Sequence, residues 1–200
     1  MPAGDIKILQ NVMNSISETT NDFIVLSTRD DIDILVRKDY KSSVIKVLEN
    51  YGFKGHINGQ PHCLYYAEPS IQYFDSNKCH IDLQTGLYYN GFRQNTLIPI
   101  DIQFQNYVFD TKIKTNDIWR YKLSPEANIV HTVCRIVFDK RKTPPHYKDR
   151  LERCVSECNS DELLKVFNMA LFKFGKKGHE LVMNKQYDNI AHEYITYKDY

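Results

Sequence analysis

Hydrophobic residues near the start of the chain first recur at helical spacing and then change to a strand pattern. Residues 6–17, IKILQNVMNSIS, place apolar side chains three and four positions apart, which predicts an amphipathic first helix. The next run, FIVLS at 23–27, consists mainly of β-branched and aromatic residues and predicts a buried strand.

The stretch DIDILV at 31–36 alternates apolar and acidic positions. Positions 32, 34 and 36 are Ile, Ile and Val, whereas Asp31 and Asp33 project from the opposite side. This alternation predicts a second strand with one apolar face and one face that begins acidic.

Further elements follow from the same patterns as far as residue 121. Residues 40–52 show helical spacing and end at a glycine, which is typical of a helix C-terminus. The segments HCLYYA, SIQYF and KCHIDLQTGLYY predict strands separated by turns. Residues 93–121 predict a mixture of strand and loop.

From Ser124 onward the pattern is helical. SPEANIVHTVCRIVFDKR predicts a helix capped by Ser124, with Pro125 at its first position. SDELLKVFNMALFKFG predicts another helix, capped by Ser160 and ended by Gly175. The fold class is therefore α/β (α+β): a mixed sheet with flanking helices in a domain at 1–122, followed by a helical subdomain at 123–200.

Charge and composition narrow the possible functions. The 26 basic and 25 acidic residues give a net charge of +1, which does not favour nucleic acid or an anionic membrane as a partner. No apolar run approaches the roughly 20 residues that span a bilayer, and the first residues do not resemble a signal peptide. We therefore expect a cytoplasmic protein.

The five cysteines predict free thiols, because their number is odd and they are widely spread. Cys154 and Cys158, near His146, are the one arrangement that hints at zinc. A structural zinc site needs four ligands, and the sequence has no second pair of cysteines at such spacing.

The two aspartates of DIDILV have two interpretations. They could be the solvated face of an ordinary strand. Alternatively, carboxylates at positions i and i+2 lie about 7 Å apart on one face, close enough to bind divalent cations. Asp82 in the later strand HIDL could supply a third carboxylate, and hard oxygen ligands favour Mg²⁺ or Mn²⁺. We interpret His80 as a packing or outer-shell residue.

The strand FIVLS, the strand DDIDILV, a helix and the later strand HIDL together resemble the DNA polymerase beta-like nucleotidyltransferase superfamily. The stretch RDDIDILVRKDY is most similar to members that modify glycans, including the LicD/fukutin-type phosphotransferases. The resemblance covers residues 20–90. It implies that Asp31 and Asp33 are the metal-binding pair and that Asp82 is the third catalytic carboxylate.

One departure from the family pattern concerns the loop that binds phosphate. The family usually has Gly-Ser or Gly-Gly after the first strand, followed by a helical turn, whereas this chain has Ser27 only four residues before Asp31. We expect Ser27 and Arg29 to take over contacts to the phosphates. The cationic stretch at 135–150 offers Lys140 and Arg141 for the same task, although cations also stabilise helix C-termini.

The sequence thus predicts a metal-dependent enzyme that transfers a nucleotidyl or phosphoryl group from a nucleoside triphosphate or nucleotide-activated donor to a hydroxyl of a small-molecule or glycan acceptor. One alternative is a catalytically inactive nucleotidyltransferase-fold module with a regulatory, antitoxin-like role. Another is a DxD glycosyltransferase, although its nucleotide-binding unit would need more chain before the DxD.

Overall fold

The computed structural model describes residues 3–29, 31–56, 62–63, 68–76, 79–92 and 96–198, with side chains from residue 6 onward except at 62 and 63. The strands are β1 (Phe23–Ser27), β2 (Ile32–Val36), β3 (Lys54–His56), β4 (His62–Cys63), β5 (Ile71–Phe74), β6 (His80–Gln84), β7 (Tyr88–Asn90), β8 (Thr96–Pro99), β9 (Ile113–Lys114) and β10 (Tyr121–Lys122). The α-helices are α1 (Ala3–Thr19), α2 (Lys41–Asn50), α3 (Ile102–Asp110), α4 (Pro125–Cys134), α5 (Pro145–Glu157), α6 (Ser160–Leu171), α7 (Gly175–Met183) and α8 (Ile190–Thr196).

Within these ranges, seven strands form one mixed sheet in the order β3-β5-β6-β2-β1-β10-β9. The central strand β2 runs antiparallel to β1 and parallel to β6. A smaller sheet has the order β4-β8-β7. The predicted class, a mixed sheet with flanking helices, is confirmed. None of the helices in the described ranges is long and apolar enough to cross a membrane.

The main sheet is covered on both faces. One core lies between the sheet and the helices α1 and α2, and it includes Ile32, Ile34 and Val36 of β2. The other core joins the opposite face, including Leu35, to α3 and the C-terminal helices. Because this second core combines residues from before and after position 122, the two predicted domains share it.

The structure corrects the prediction for residues 93–121. Residues 102–110 form α3 rather than strand or loop, and its buried positions Phe104, Val108 and Phe109 follow helical spacing. The aromatic and β-branched content of this segment favours strands, but the packing of one helical face against the core decides its conformation. Asp101 caps the helix by accepting a hydrogen bond of 2.8 Å from the backbone N–H of Gln103.

Two predicted helix boundaries are also wrong. Asn159, not Ser160, caps α6, since its side chain accepts hydrogen bonds from the backbone N–H groups of Asp161 and Glu162. Gly175 begins α7 instead of ending α6. A side chain at Gly175 would collide with Asn168, so the glycine permits a close approach between the two helices.

The predicted helix that starts at Ser124 changes its winding. Ser124 caps it as expected, with its side chain accepting from the backbone N–H of Ala127. The chain is α-helical as far as Cys134, and residues Arg135–Lys140 then form a π-helical segment. Of the predicted strand HCLYYA, His62 and Cys63 form β4, and positions 64–67 lie outside the described residues.

Removal of the α3 cap tests the helix that the sequence pattern missed. Asp101→Ala should lower the free energy of unfolding by about 1 kcal/mol, because the N–H of Gln103 loses its partner. Urea denaturation measures this change. Gln103→Ala, at an exposed position in the same helix, is the control and should have little effect. Equal stability of Asp101→Ala and the wild type would contradict the capping role.

Candidate functional site

The parallel pairing of β2 with β6 brings two of the predicted carboxylates side by side. In the register of this pair, Asp33 lies opposite Asp82. The apolar side chains of Ile32 and Ile34 occupy the core beneath α1 and α2, so Asp33 between them projects to the other face of the sheet. The sequence pattern of β2 therefore directs its acidic side toward the C-terminal helices.

Asp31, His80 and Asp82 form a compact group. Each offers one potential ligand atom, and these atoms all lie within 4.8 Å of one another. His80 Nε2 is 2.9 Å from Asp82 Oδ1, and His80 Nδ1 is 3.8 Å from Asp31 Oδ2. In the described part of the chain no other group of three such residues is close enough to hold a metal ion, and Cys154 and Cys158 belong to no such group.

Asp33 is the most deeply buried of the three carboxylates at the site. Only 8% of it is exposed, and its carboxylate makes no hydrogen bond or ion pair with any residue that the structure describes. Burial, and then the nearby charge of Asp31, raise the pKa of Asp33 to about 6, although Arg135 acts in the opposite direction. Burial also raises the pKa of Asp82. Asp33 is thus not the solvated side of an ordinary strand.

Cations from the C-terminal half form a cationic wall, which faces these carboxylates across a cleft of about 240 Å³. Arg135 and Lys140 come from the two ends of the π-helical segment, and Arg150 comes from α5. π-Helical turns are frequent at functional sites because they change the direction of side chains. Arg135 Nε lies 3.0 Å from Asp139 Oδ2, which holds the guanidinium in place.

Arg150 lacks such an anchor. It is half-buried, its guanidinium lies 5.7 Å from the centre of the Tyr147 ring, and it makes no ion pair with a carboxylate among the described residues. Burial lowers the pKa of Arg150, and the neighbouring cations Arg135 and Arg153 lower it further. A half-buried cation without an anionic partner is a favourable place for an anion to bind.

A buried histidine, His131, also lines the cleft. His131 is buried, and its Nδ1 lies 2.7 Å from the hydroxyl oxygen of Tyr89. Burial lowers the pKa of His131 well below its usual value, and the cations Arg135 and Arg150 lower it further. Its surroundings therefore favour the uncharged form of His131.

A larger cleft of about 460 Å³ adjoins the first one. The two share Leu26, Ser27 and Arg150, and the larger is also lined by Trp119 and Tyr121. Its volume lies within the range of about 300 to 1,000 Å³ that is common for small-molecule sites. The shared residues connect the acidic group to a space with aromatic and polar walls.

Most of the residues proposed from the sequence lie around the smaller cleft, of about 240 Å³. It is lined by Ser27, Arg29, Asp31, Asp33 and Lys140. Asp82 joins them through its pairing with Asp33.

Arg141 lies elsewhere. Its guanidinium donates a hydrogen bond of 3.1 Å to the carbonyl oxygen of Gly91 and stands 5.4 Å above the centre of the Phe92 ring. Arg141 adopts a left-handed conformation with φ of 55° at the end of the π-helical segment, which turns it away from its neighbour Lys140.

Arg135, Tyr147 and Arg150 line the cleft and belong to the cationic stretch at 135–150, from which we chose Lys140 and Arg141 on the sequence alone; His131 was not singled out by the sequence. Spacing alone does not distinguish Arg135 and Arg150 from the other cations of this stretch. Lys148, for example, pairs with Asp188 at 2.6 Å. The position of the π-helical segment, which has no clear sequence signal, decides which cations face the cleft.

The raised pKa of Asp33 predicts how stability depends on pH in the presence of a chelator. The folded protein holds this proton more tightly than the unfolded chain, so the wild type should lose stability relative to Asp33→Asn as the pH rises from 3.8 to about 6. Above that range the difference should stay constant, at up to about 3 kcal/mol. Urea denaturation of both proteins at several pH values measures it.

The exposed Asp39 provides the control, and Asp39→Asn should follow the pH profile of the wild type. A stability difference between Asp33→Asn and the wild type that does not change with pH would show that burial imposes no such cost on this carboxylate.

Comparisons with known proteins add little to this geometry. No protein-family model matches the sequence, and no curated protein matches it either. Among solved structures, the chain is similar to the antibiotic-resistance factor ANT(2'')-Ia, with 10% sequence identity and a TM-score of 0.46 over 92% of this chain and 91% of that chain. At these values the similarity does not establish a shared activity.

Proposed function

We propose that this chain is a metal-dependent nucleotidyltransferase-fold enzyme. It transfers a nucleotidyl or phosphoryl group from a nucleoside triphosphate or nucleotide-activated donor to a hydroxyl of a small-molecule or glycan acceptor. The observation that carries the proposal is the pairing of Asp33 with Asp82 on parallel strands, beside Asp31 and opposite a cationic wall. The resemblance of DDIDILV and HIDL to nucleotidyltransferase motifs supports the same function.

The carboxylates Asp31, Asp33 and Asp82 would hold Mg²⁺ or Mn²⁺. Oxygen ligands suit these ions, and the buried, unpaired Asp33 lacks the counter-charge that a cation would provide. A bound divalent ion would neutralise charge on the donor phosphates and make the attacking hydroxyl more acidic. The raised pKa of Asp33 fits this role, because a carboxylate that is buried, and that also lies near other negative charge, gains most from a cation.

The cationic wall would bind the donor phosphates. Arg150 is suited to this role because it has no carboxylate partner in the described ranges, and guanidinium groups match phosphate oxygens in two-point hydrogen bonds. Lys140 and Arg29 line the same cleft and add positive charge, while the hydroxyl of Ser27 offers a hydrogen bond. We leave Arg141 out of this set, since it contacts Gly91 and Phe92 instead.

In the transfer step, the acceptor oxygen forms a bond to the donor phosphorus as the bond to the leaving phosphate group breaks. The proton of the acceptor hydroxyl passes to a carboxylate, for which Asp82 is the candidate. Burial raises the pKa of Asp82, and a base works best when its pKa approaches the operating pH. The leaving group departs as pyrophosphate when a nucleotidyl group is transferred from a triphosphate.

The alternative of an inactive module rests on the short connection between β1 and β2. Only positions 28–31 join these strands, so backbone N–H groups of a longer loop are not available to bind phosphate there. In the active enzyme, side chains of the cationic wall would replace them. Ligand binding and turnover distinguish the two cases.

Asp33→Asn separates the enzyme from the inactive module. The wild type should melt at a higher temperature with Mn²⁺ and its nucleoside triphosphate, because a ligand that binds only the folded state stabilises it. Asp33→Asn should lose this gain, and its transfer rate should fall by about two orders of magnitude or more. Thermal melts with Mn²⁺ and each of the four triphosphates, with pyrophosphate release as the activity assay, provide the measurement.

Asp39→Asn is again the matched control, since it makes the same chemical change on the surface and should respond to ligands as the wild type does. Identical melting temperatures of wild type and Asp33→Asn under every condition, without pyrophosphate release, would favour the inactive module.

A separate experiment tests the phosphate contacts. Arg150→Gln should weaken the binding of magnesium tripolyphosphate about tenfold or more, because it removes a charge-assisted hydrogen bond. Lys142→Gln removes the same charge from an exposed position in the same stretch and should change the affinity little. Isothermal titration calorimetry measures both. Equal losses in the two variants would mean that net charge, and not the position of Arg150, accounts for binding.

A further inference from the structure

An imidazole stands among the carboxylates of the candidate site. His80 lies two residues before Asp82 on β6, so both side chains project from the same face of the sheet. Its two ring nitrogens face different carboxylates, with Nε2 2.9 Å from Asp82 Oδ1 and Nδ1 3.8 Å from Asp31 Oδ2. The DxD pattern by itself predicts carboxylate oxygen ligands and does not predict a nitrogen ligand.

The ring of His80 is held in a fixed orientation. It stacks on the ring of Phe74, with 4.4 Å between the ring centres and 18° between their planes. Phe74 lies opposite His80 on the neighbouring antiparallel strand β5. Strand pairing and this stacking therefore fix the position of the His80 ring, and the imidazole need not reorganise to reach a ligand beside Asp82.

The spacing suits a shared ion. Adjacent ligands of an octahedral ion with bonds of about 2.1 Å are about 3 Å apart, and opposite ligands are about 4.2 Å apart. The separation of 2.9 Å between His80 Nε2 and Asp82 Oδ1 matches the first distance. The potential ligand atoms of the whole group, which includes Asp31, lie within 4.8 Å of one another.

We propose that His80 coordinates the divalent cation together with Asp31 and Asp82, and that this nitrogen ligand makes the site prefer Mn²⁺ to Mg²⁺. The inference rests on the proposed function, since it concerns the same metal site. It goes further by assigning a ligand and a metal preference.

Ligand chemistry supplies the reason for the preference. Mg²⁺ is the harder ion and gains little from imidazole, whereas Mn²⁺ accepts a nitrogen ligand more readily, although carboxylate oxygens suit both ions. One imidazole among carboxylates therefore strengthens Mn²⁺ binding more than Mg²⁺ binding. Without it, the remaining oxygen ligands discriminate less between the two ions.

Asp33 provides an independent indication that a cation belongs here. It lines the cleft together with Asp31, is more than nine-tenths buried, and its carboxylate has neither a hydrogen bond nor an ion pair to any described residue. A buried carboxylate in this state is stabilised by a positive charge, and the nearest group of potential ligands is that of Asp31, His80 and Asp82.

Pulsed electron paramagnetic resonance of Mn²⁺ bound to the wild-type chain tests the coordination directly. Electron spin echo modulation should show hyperfine coupling to a nitrogen nucleus. Calorimetry should then give a dissociation constant for Mn²⁺ that rises about tenfold or more in His80→Ala, while the constant for Mg²⁺ changes by less than about threefold. His80→Asn, which keeps a polar group at this position, should also lose the nitrogen coupling and most of the preference for Mn²⁺.

His192→Ala, which removes an exposed histidine on α8, is the control and should keep both the coupling and the affinities. Mn²⁺ that binds without nitrogen coupling, with the same ratio of Mn²⁺ to Mg²⁺ affinity in wild type and His80→Ala, would overturn the role of His80 and leave the proposed function standing. Failure of the wild type to bind either ion, alone or with a nucleoside triphosphate, would overturn both. The spectrum of the wild type decides the coordination even if a variant folds poorly.

Discussion

The hydrogen-bonded register between β2 and β6 fixes the position of the acidic group. Neighbouring strands are about 4.8 Å apart, so Asp33 and Asp82, which are paired in this register, cannot move away from each other. The register is itself held by burial, since Ile34 and Leu35 of β2 are fully buried on opposite faces of the sheet. A slip by one residue would place Asp33 in the apolar core beneath α1 and α2, at a cost that the fold does not tolerate.

Cations of the C-terminal half partly compensate the negative charge that this register brings together. Arg135 lies close enough to lower the pKa of Asp33, and Lys140 and Arg150 line the same cleft. The helices also complete the apolar core on this face of the sheet. Packing and electrostatics thus depend on each other, because the contacts that bury the helices also bring their cations to the carboxylates.

The charges of the cleft nevertheless remain incompletely paired. The carboxylate of Asp33 lacks a hydrogen bond or ion pair, and Arg150 lacks a carboxylate partner, within the part of the chain that the structure describes. A divalent cation with an attached phosphate group would complement both, since it brings positive charge to the acidic end and negative charge to the cationic end. Groups left unpaired in this way cost stability without a ligand, as is common at sites that bind one.

Elements that depend on local sequence patterns could be predicted without the structure. The alternation in β2 and the later strand HIDL were sufficient to nominate Asp31, Asp33 and Asp82. The strand patterns together with the serine cap of α4 predicted a mixed sheet with flanking helices. Local patterns did not predict α3, whose strand-forming residues are helical because one face packs on the core. The folded chain was needed to show that His80 lies between two carboxylates and that Arg150, rather than Arg141, lies at the cleft. These placements depend on strand register, on stacking with Phe74 and on the winding of the π-helical segment, which are relations between distant residues that no local pattern encodes.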